Sequence, residues 1–331
     1  MPEATRQVEA AEQITAQSVL SDYEIAGKTV IVTGATSGVG RAIAEALAGA
    51  GADVTLAVRD VLAGQRVMAE LVAVYPRSRI RVESIDLLDL HSVRAFAERW
   101  GQQALDLLFN NAGLMAPPLS YTDLGFESQL SVNCLAPMLL SRLLLPNMRL
   151  APSPRIVTVS SGAHHLARLR LDDLHYRRRD YDKFEAYGHS KLCANLMAVA
   201  FSQQYAPITM NLVTPGAVAS NLARHTTLED AIKLGWVRED GSLAVGEMRS
   251  PEVGAASPVW AAVTPELEGR GGVYIEDLAV APVFDSPRED CWGVTAESLD
   301  PDLAGALWNR LLAHIAPFEE SADNAPSEVK L

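Results

Sequence analysis

The chain has 331 residues, 48% of them hydrophobic and 21% charged, and a formal net charge of −13. That composition describes a globular protein with enough apolar residues for a sizeable core. The acidic balance argues against a duplex nucleic-acid partner, because no global basic field exists to displace counterions. Three cysteines, Cys134, Cys193 and Cys291, stand far apart with neither metal-ligand spacing nor a disulfide framework, so a reducing cytoplasm and three small buried hydrophobes are expected.

Residues 1–26 read as an N-terminal arm. Glu3, Arg6, Glu9 and Glu12 sit among small residues, with no apolar stretch leading to a cleavage site. Met1–Ala16 is expected to fray and Val19 to Ile25 to dock on the domain. No apolar run reaches the ~18–20 residues that a membrane span needs, so no membrane partner is expected.

The β-branched run Thr29 to Thr33 reads as a strand buried on both faces. A turn with Gly34, Thr36, Ser37, Gly38, Val39 and Gly40 follows, and Ile43, Ala44 and Leu47 then recur at helical spacing. Strand, glycine turn and helix together suit a dinucleotide: backbone approaches the pyrophosphate, and the positive helix start faces it. Asp53 to Val58 is the second strand. Val58 at its end cannot bond a ribose diol, whereas Arg59 matches a 2′-phosphate in charge and geometry. This favours NADP(H), with NAD(H) as the alternative. Asp60 caps the helix Val61–Val74.

Arg79 to Ile85 is the third strand, followed by Asp86 and Leu87; Asp86 suits an adenine amino group or a cap on the next helix, two compatible roles. Ser92 to Trp100 is helical, and Leu105 to Phe109 is a strand running into Asn110, Asn111, Ala112 and Gly113. A helix from about Gly125 to Leu145 carries Asn133, a polar amide that needs a partner. The fifth strand, Arg155 to Val159, ends in Ser160-Ser161. Ala186 to Tyr205 has the spacing of a buried helix and opens with Tyr187-Gly188-His189-Ser190-Lys191. Thr209 to Val213 leads to Pro215, Gly216, Val218 and Ser220. Residues 220–250 suit a loop over a site. A helix at Pro251–Val263, a seventh strand at Gly272–Ile275 and a helix at Pro301–Ile315 complete a domain spanning 27–316. An acidic tail, Pro317–Leu331, is expected to be disordered.

Strands and helices alternate throughout, which predicts a single doubly wound parallel α/β sheet of about seven strands with helices on both faces. Such sheets bind ligands beyond their C-terminal strand edges, where the candidate residues all fall. Tyr187 and Lys191, four apart, share a helix face. An ammonium beside a phenol favours phenolate and lowers a pKa that is otherwise ~10. Ser161 is placed to bond a substrate oxygen.

These residues resemble the short-chain dehydrogenases/reductases, a Rossmann-fold family. Thr33 to Gly40 looks like the family's cofactor motif and Asn110-Asn111-Ala112-Gly113 like its central-strand motif. Asn133, Ser161, Tyr187 and Lys191 match its catalytic tetrad, and Pro215 to Val218 the segment that holds the nicotinamide. Leu56 to Asp60, Ser160 to His164 and Leu171 to Leu174 are similar to the retinol-dehydrogenase-like branch. The resemblance implies an NADP(H)-dependent oxidoreductase interconverting a carbonyl and an alcohol on a lipophilic small molecule. In that mechanism Tyr187 exchanges the proton, Ser161 holds the oxygen, Lys191 lowers the Tyr187 pKa and fixes the ribose, and Asn133 positions a water. It also implies a homodimer or homotetramer. A catalytically silent dinucleotide-binding regulator is the alternative, yet it would be expected to lack Tyr187, Lys191 or Ser161. A methyltransferase would leave the Tyr/Lys pair and Arg59 unexplained.

The basic run Arg168, Arg170, Arg177, Arg178, Arg179 and Lys183 reads as a solvated loop neutralised by Asp172, Asp173, Asp180 and Asp182, rather than as a magnet for an anionic substrate. His164, His165, His175 and His189 do not have metal-site spacing, and no metal is expected.

Overall fold

The computed structural model describes residues 14–238, 240 and 248–319. The strands are β1 (Thr29–Thr33), β2 (Asp53–Val58), β3 (Arg79–Ser84), β4 (Leu107–Asn110), β5 (Arg155–Val159), β6 (Thr209–Val213), β7 (Tyr274–Glu276) and β8 (Ala279–Val280). They form one sheet in the order β3-β2-β1-β4-β5-β6-β7-β8, parallel except for β8. The eighth strand, beyond the seven expected, has two exposed residues and follows a turn in which Asp277 and Leu278 have φ of +49° and +60°. Two residues are too short to show a period-2 pattern, so nothing in the sequence marked it. A separate parallel pair joins β9 (Val283–Phe284) to β10 (Val294–Thr295).

The named helices are α1 (Ala16–Leu20), α2 (Gly38–Gly49), α3 (Val61–Val74), α4 (Leu90–Trp100), α5 (Ala136–Leu143), α6 (Lys183–Gln204), α7 (Leu228–Lys233), α8 (Ala256–Val263) and α9 (Pro301–Ile315). Aspartates start four of them. Asp60, Asp89, Asp182 and Asp300 accept from the first-turn N–H groups of α3, α4, α6 and α9. Asp89, not Asp86, therefore caps the helix after β3, and Asp182 starts α6 three residues earlier than expected. The helix expected over 125–145 starts at Ser128 on a Glu127 cap and contains a π-helical turn, Ser131–Leu135, around Asn133. The helix expected at Pro251–Val263 breaks at Ala255.

Alternation along β1 divides the core. Ile31 faces a layer with Phe96, Leu139 and Trp308 from α4, α5 and α9, whereas Val30 and Val32 face Ile43, Leu47 and Val259 from α2 and α8. α1 joins the second layer through Ala16, Val19 and Leu20. Ala16 is thus part of the core rather than of a fraying arm, and residues 1–13 lie outside the described region. α6 is buried nearly all round, from Ala186 to Phe201, because the sheet covers one side and α9 the other, with the Phe201 and Trp308 rings 6.3 Å apart. The expected tail is also docked at its start. Phe318 is buried and Glu319 pairs with Arg142 on α5, while residues 320–331 lie outside the described region.

Candidate active site

The strand ends of β1, β2, β4, β5 and β6 open on one groove of about 370 Å³. Gly34, Thr36, Ser37, Gly38, Val39, Gly40, Arg59, Asp86, Leu87, Asn111, Ala112, Gly113, Ser161, Tyr187, Lys191, Pro215, Gly216, Val218 and Ser220 all line it. Of the candidate residues, only Asn133 does not.

The floor is built by backbone packing. Gly34 and Gly38 have φ of +69° and +55°, a region that favours glycine. Gly40 allows helix to meet strand: a Cβ there would lie 2.2 Å from Asn111 Nδ2 and 2.5 Å from the Gly34 carbonyl oxygen. Asn111 Nδ2 donates to Thr33 O at 2.8 Å, and Thr33 Oγ1 accepts from Asn111 N and Ala112 N, both at 3.0 Å. The β1 and β4 ends are thereby tied together. Helix α2 starts at this floor without a side-chain cap, since Ser37 makes no capping bond and no acid occupies the first turn. Its start offers N–H groups and a positive dipole to an anion. Arg59 is exposed at the β2 end on the groove wall. Asp86 also lines the wall, and its Oδ1 accepts from Leu88 N at 3.0 Å.

At the other end of the groove, Tyr187 and Lys191 project from α6 toward Ser161. Burial pushes the Tyr187 phenol up to about 12, partly offset by a hydrogen bond with Ser161. Lys191 lies 5.8 Å from the Tyr187 ring centroid, and its Nζ donates to Val159 O at 2.7 Å. Burial holds its ammonium down to about 8. The amine and the phenol thus lie near one another on one face of α6. The amine is itself desolvated and turned to the Val159 carbonyl, and the Ser161 hydrogen bond favours the phenolate form of Tyr187.

Asn133 is buried behind the groove-lining Gly113, where a Cβ would lie 3.4 Å from Asn133 Oδ1 and 3.7 Å from Lys191 Nζ. Oδ1 accepts from Leu114 N at 2.9 Å, and Nδ2 donates to Leu114 O at 2.9 Å and Ser190 Oγ at 2.8 Å. The π-helical turn brings this amide to the strand-four extension, where it braces the groove wall at Leu114.

An apolar cluster covers the outer side of Tyr187. Met115, Ala116, Phe184 and Tyr187 pack with Ala163, Leu222, Leu234 and Trp236, the last three from the 220–250 loop. Residues 239 and 241–247 of that loop lie outside the described region. Lys183, at the start of α6, pairs with Asp230 on α7 and holds the loop beside the tyrosine helix. At the loop base Arg249 N donates to Ala217 O at 2.8 Å, and its guanidinium pairs with Asp277 at 2.6 Å. Arg224, exposed on the same loop, also lines the groove; the mixed composition of the loop gives no period from which to single it out.

Three of the six residues of the basic run form ion pairs, largely with other partners than expected. Arg168 pairs with Glu297, Arg179 with Glu185 and Asp173, and Lys183 with Asp230. Asp173 accepts from the N–H groups of Arg177 and Arg178, and Asp182 is a helix cap. His189 is buried and accepts from Arg170 N at 3.2 Å, away from the groove. Cys134 and Cys193 are buried as expected, whereas Cys291 is only partly so. Among the described residues no group of three His, Cys, Asp or Glu is placed to hold a metal, and no helix is long and apolar enough to cross a membrane.

Comparison with known proteins agrees with this architecture. Residues 28–231 match the profile of the short chain dehydrogenase family. A Streptomyces antibioticus protein described as a probable oxidoreductase is 38% identical over 288 residues, covering 86% of this chain and 96% of its own. Human retinol dehydrogenase 12 is 36% identical over 288 residues, covering 84% and 88%. A solved structure from Beutenbergia cavernae, assigned as an NAD(P)-dependent gluconate 5-dehydrogenase with NADP bound at low occupancy, is 26% identical with a TM-score of 0.60, covering 77% and 96%. With its family profile matched over most of the chain and its glycine turn, Ser161, Tyr187 and Lys191 gathered on one groove, the chain belongs to the short-chain dehydrogenase/reductase family of oxidoreductases.

Proposed function

We propose that the protein is an NADP(H)-dependent oxidoreductase that interconverts a carbonyl and an alcohol on an apolar small molecule. One observation carries the reading: Ser161, Tyr187 and Lys191 line the same groove as the Gly34–Gly40 turn. The groove suits a dinucleotide, because the uncapped start of α2 leaves its N–H groups available to a pyrophosphate. Arg59 at the β2 end supports a 2′-phosphate, as does the NADP found in the Beutenbergia structure. When bound, the nicotinamide supplies or accepts the hydride.

The chain's own groups handle the proton and the charge. A phenol held at about 12 keeps its proton at neutral pH, so Tyr187 serves as the acid in carbonyl reduction. Ser161 donates to the substrate oxygen as charge develops on it. Lys191, at the inner end of the groove, has donors to spare beyond Val159 O and can hold a ribose hydroxyl. Asn133 braces the wall at Leu114. In the oxidation direction Tyr187 must first lose its proton, so that rate rises with pH.

The apolar cluster over Tyr187, built from Met115, Phe184, Leu222, Leu234 and Trp236, favours an apolar substrate. The retinol named for the human relative is a lipophilic alcohol of that class. The test is NADPH oxidation against a panel of apolar aldehydes and ketones, with nucleotide titrations beside it. Turnover of at least one carbonyl, with NADPH bound more tightly than NADH, is expected. Failure to bind either nucleotide would contradict the reading.

A further inference from the structure

The groove accounts for Ser161, Tyr187 and Lys191 but not for the buried imidazoles beside them. His164 lies three residues after Ser161 in the 3₁₀ turn Gly162–Leu166, is 1% exposed and does not line the groove. Its Nδ1 is 2.8 Å from the Ser161 carbonyl oxygen. A carbonyl only accepts, so Nδ1 carries the proton. Nε2 is then the acceptor, and it takes the N–H of Thr295 in β10 at 3.3 Å. Two bonds of opposite sense fix one neutral tautomer. Burial holds the imidazolium form down, to about 4, so the ring keeps that tautomer across the neutral range.

The turn carrying Ser161 has no slack. Ser161 Oγ accepts from Ala163 N at 3.1 Å, and the Ser161 carbonyl accepts from His164 N at 3.2 Å as well as from the ring. On one side the turn abuts the tyrosine helix: a Cβ on Gly188 would lie 2.4 Å from Ala163 O. On the other it abuts the C-terminal segment: a Cβ on Gly162 would lie 2.5 Å from Cys291 O. His165 ties the same segment a second time, accepting from Arg288 N at 3.1 Å through Nδ1 and reaching Gly293 O at 3.2 Å through Nε2. The chain between β9 and β10 thus holds the back of the turn whose front presents the Ser161 hydroxyl.

We propose that His164 is a positioning residue that sets the reach of the Ser161 hydroxyl toward Tyr187, with the Thr295 backbone as its anchor. The inference rests on the oxidoreductase reading above. A displacement of about 1 Å in a group that orients the reacting oxygen is enough to cost ~10²-fold in rate, so a bond behind Ser161 matters without touching substrate.

The experiment compares His164→Asn, whose amide can still donate to the Ser161 carbonyl, with His164→Leu, which cannot. Turnover is measured with the most reactive carbonyl of an apolar aldehyde and ketone panel, and NADPH affinity by fluorescence titration. The pH profile of alcohol oxidation reports Tyr187. The expected result is a fall in kcat of about tenfold or more for His164→Leu, with NADPH affinity unchanged. Its alkaline limb should move to higher pH, because Tyr187 loses the Ser161 bond that stabilises phenolate. His164→Asn should recover most of both. Equal losses in the two variants with the limb in place would mean that the imidazole only fills space, and would overturn the proposal. A readout on the wild-type protein covers variants that fail to fold: ¹⁵N NMR should show His164 as the Nδ1–H tautomer, and an Nε2–H tautomer would overturn it equally. Tyr187→Phe, run alongside, separates the two levels. Its retention of full activity would sink the underlying reading, whereas an inactive Tyr187→Phe beside an unaffected His164→Leu would sink this inference alone.

Discussion

The two ends of the groove are built in different ways. The nucleotide end, from β1 to β4, is made of backbone: positive-φ glycines, an uncapped helix and a carbonyl accepting from Asn111. The end proposed to transfer the proton, from β5 onward, is made of side chains tied to backbone and side-chain groups elsewhere in the chain, with His164 bonded to the Ser161 carbonyl and the loop over Tyr187 clamped by Lys183 and Arg249. Backbone construction fixes where a ligand lies and tolerates almost no added atom. Side-chain construction fixes where a proton lies and depends on partners distant in sequence. Changes at one end should therefore leave the other end's property intact.

The largest expected effect separates the two cleanly. Tyr187→Phe should lose about 10³-fold in kcat while NADPH affinity, measured by fluorescence, stays at the wild-type value. Next comes a pH effect at the proton-transfer end. Glu276, at the end of β7, accepts from Gly293 N at 2.8 Å, and burial raises its carboxyl from 4.5 to about 7. Its protonated form is the one the fold favours. The contribution is fully present below pH 4.5, where both folded and unfolded chains hold the proton, and is lost as pH rises through 7. The loss is on the order of 3 kcal/mol before screening at the carboxyl's exposed edge. Glu276→Gln, neutral at every pH, should flatten that slope in denaturant midpoints measured from pH 4.5 to 8; an unchanged slope would show that another group sets it.

Gly40→Ala tests the nucleotide end. With Asn111 Nδ2 2.2 Å and Gly34 O 2.5 Å from the new Cβ, the strand-to-helix contact must open. A loss of about 1–3 kcal/mol in stability is expected, with NADPH binding weakened and any residual bound enzyme turning over normally. The smallest effect is expected at Arg59. Arg59→Ala should weaken NADPH by roughly tenfold, the value of about one charge-assisted contact, and leave NADH nearly unchanged. Equal weakening of both nucleotides would remove Arg59 from phosphate recognition.

The same contrast explains what could be read from the sequence. The nucleotide end was legible because a short-range pattern builds it: a β-branched strand, glycines at fixed offsets and a helical period lie within twenty residues of each other. Tyr187 and Lys191 were legible for the same reason, since four residues on one helix always share a face. The features that the sequence left unmarked depend on contacts outside any helix or strand period. Asn133 was placed on a helix, yet a π-helical turn and the Leu114 backbone decide where its amide points. The bond from Lys191 to the β5 carbonyl at Val159 joins residues 32 apart. The partners of the basic run, Glu185, Asp230 and Glu297, and the anchoring of His164 by Thr295 join segments up to 131 residues apart. No local period encodes them.

The most direct measurement of the central claim is a single-turnover comparison of wild type and Tyr187→Phe, each preloaded with NADPH and mixed rapidly with a carbonyl substrate. The account predicts equal NADPH occupancy in both proteins, fast loss of the reduced-nicotinamide signal in the wild type and almost none in the variant. Hydride transfer at the wild-type rate in Tyr187→Phe would contradict it.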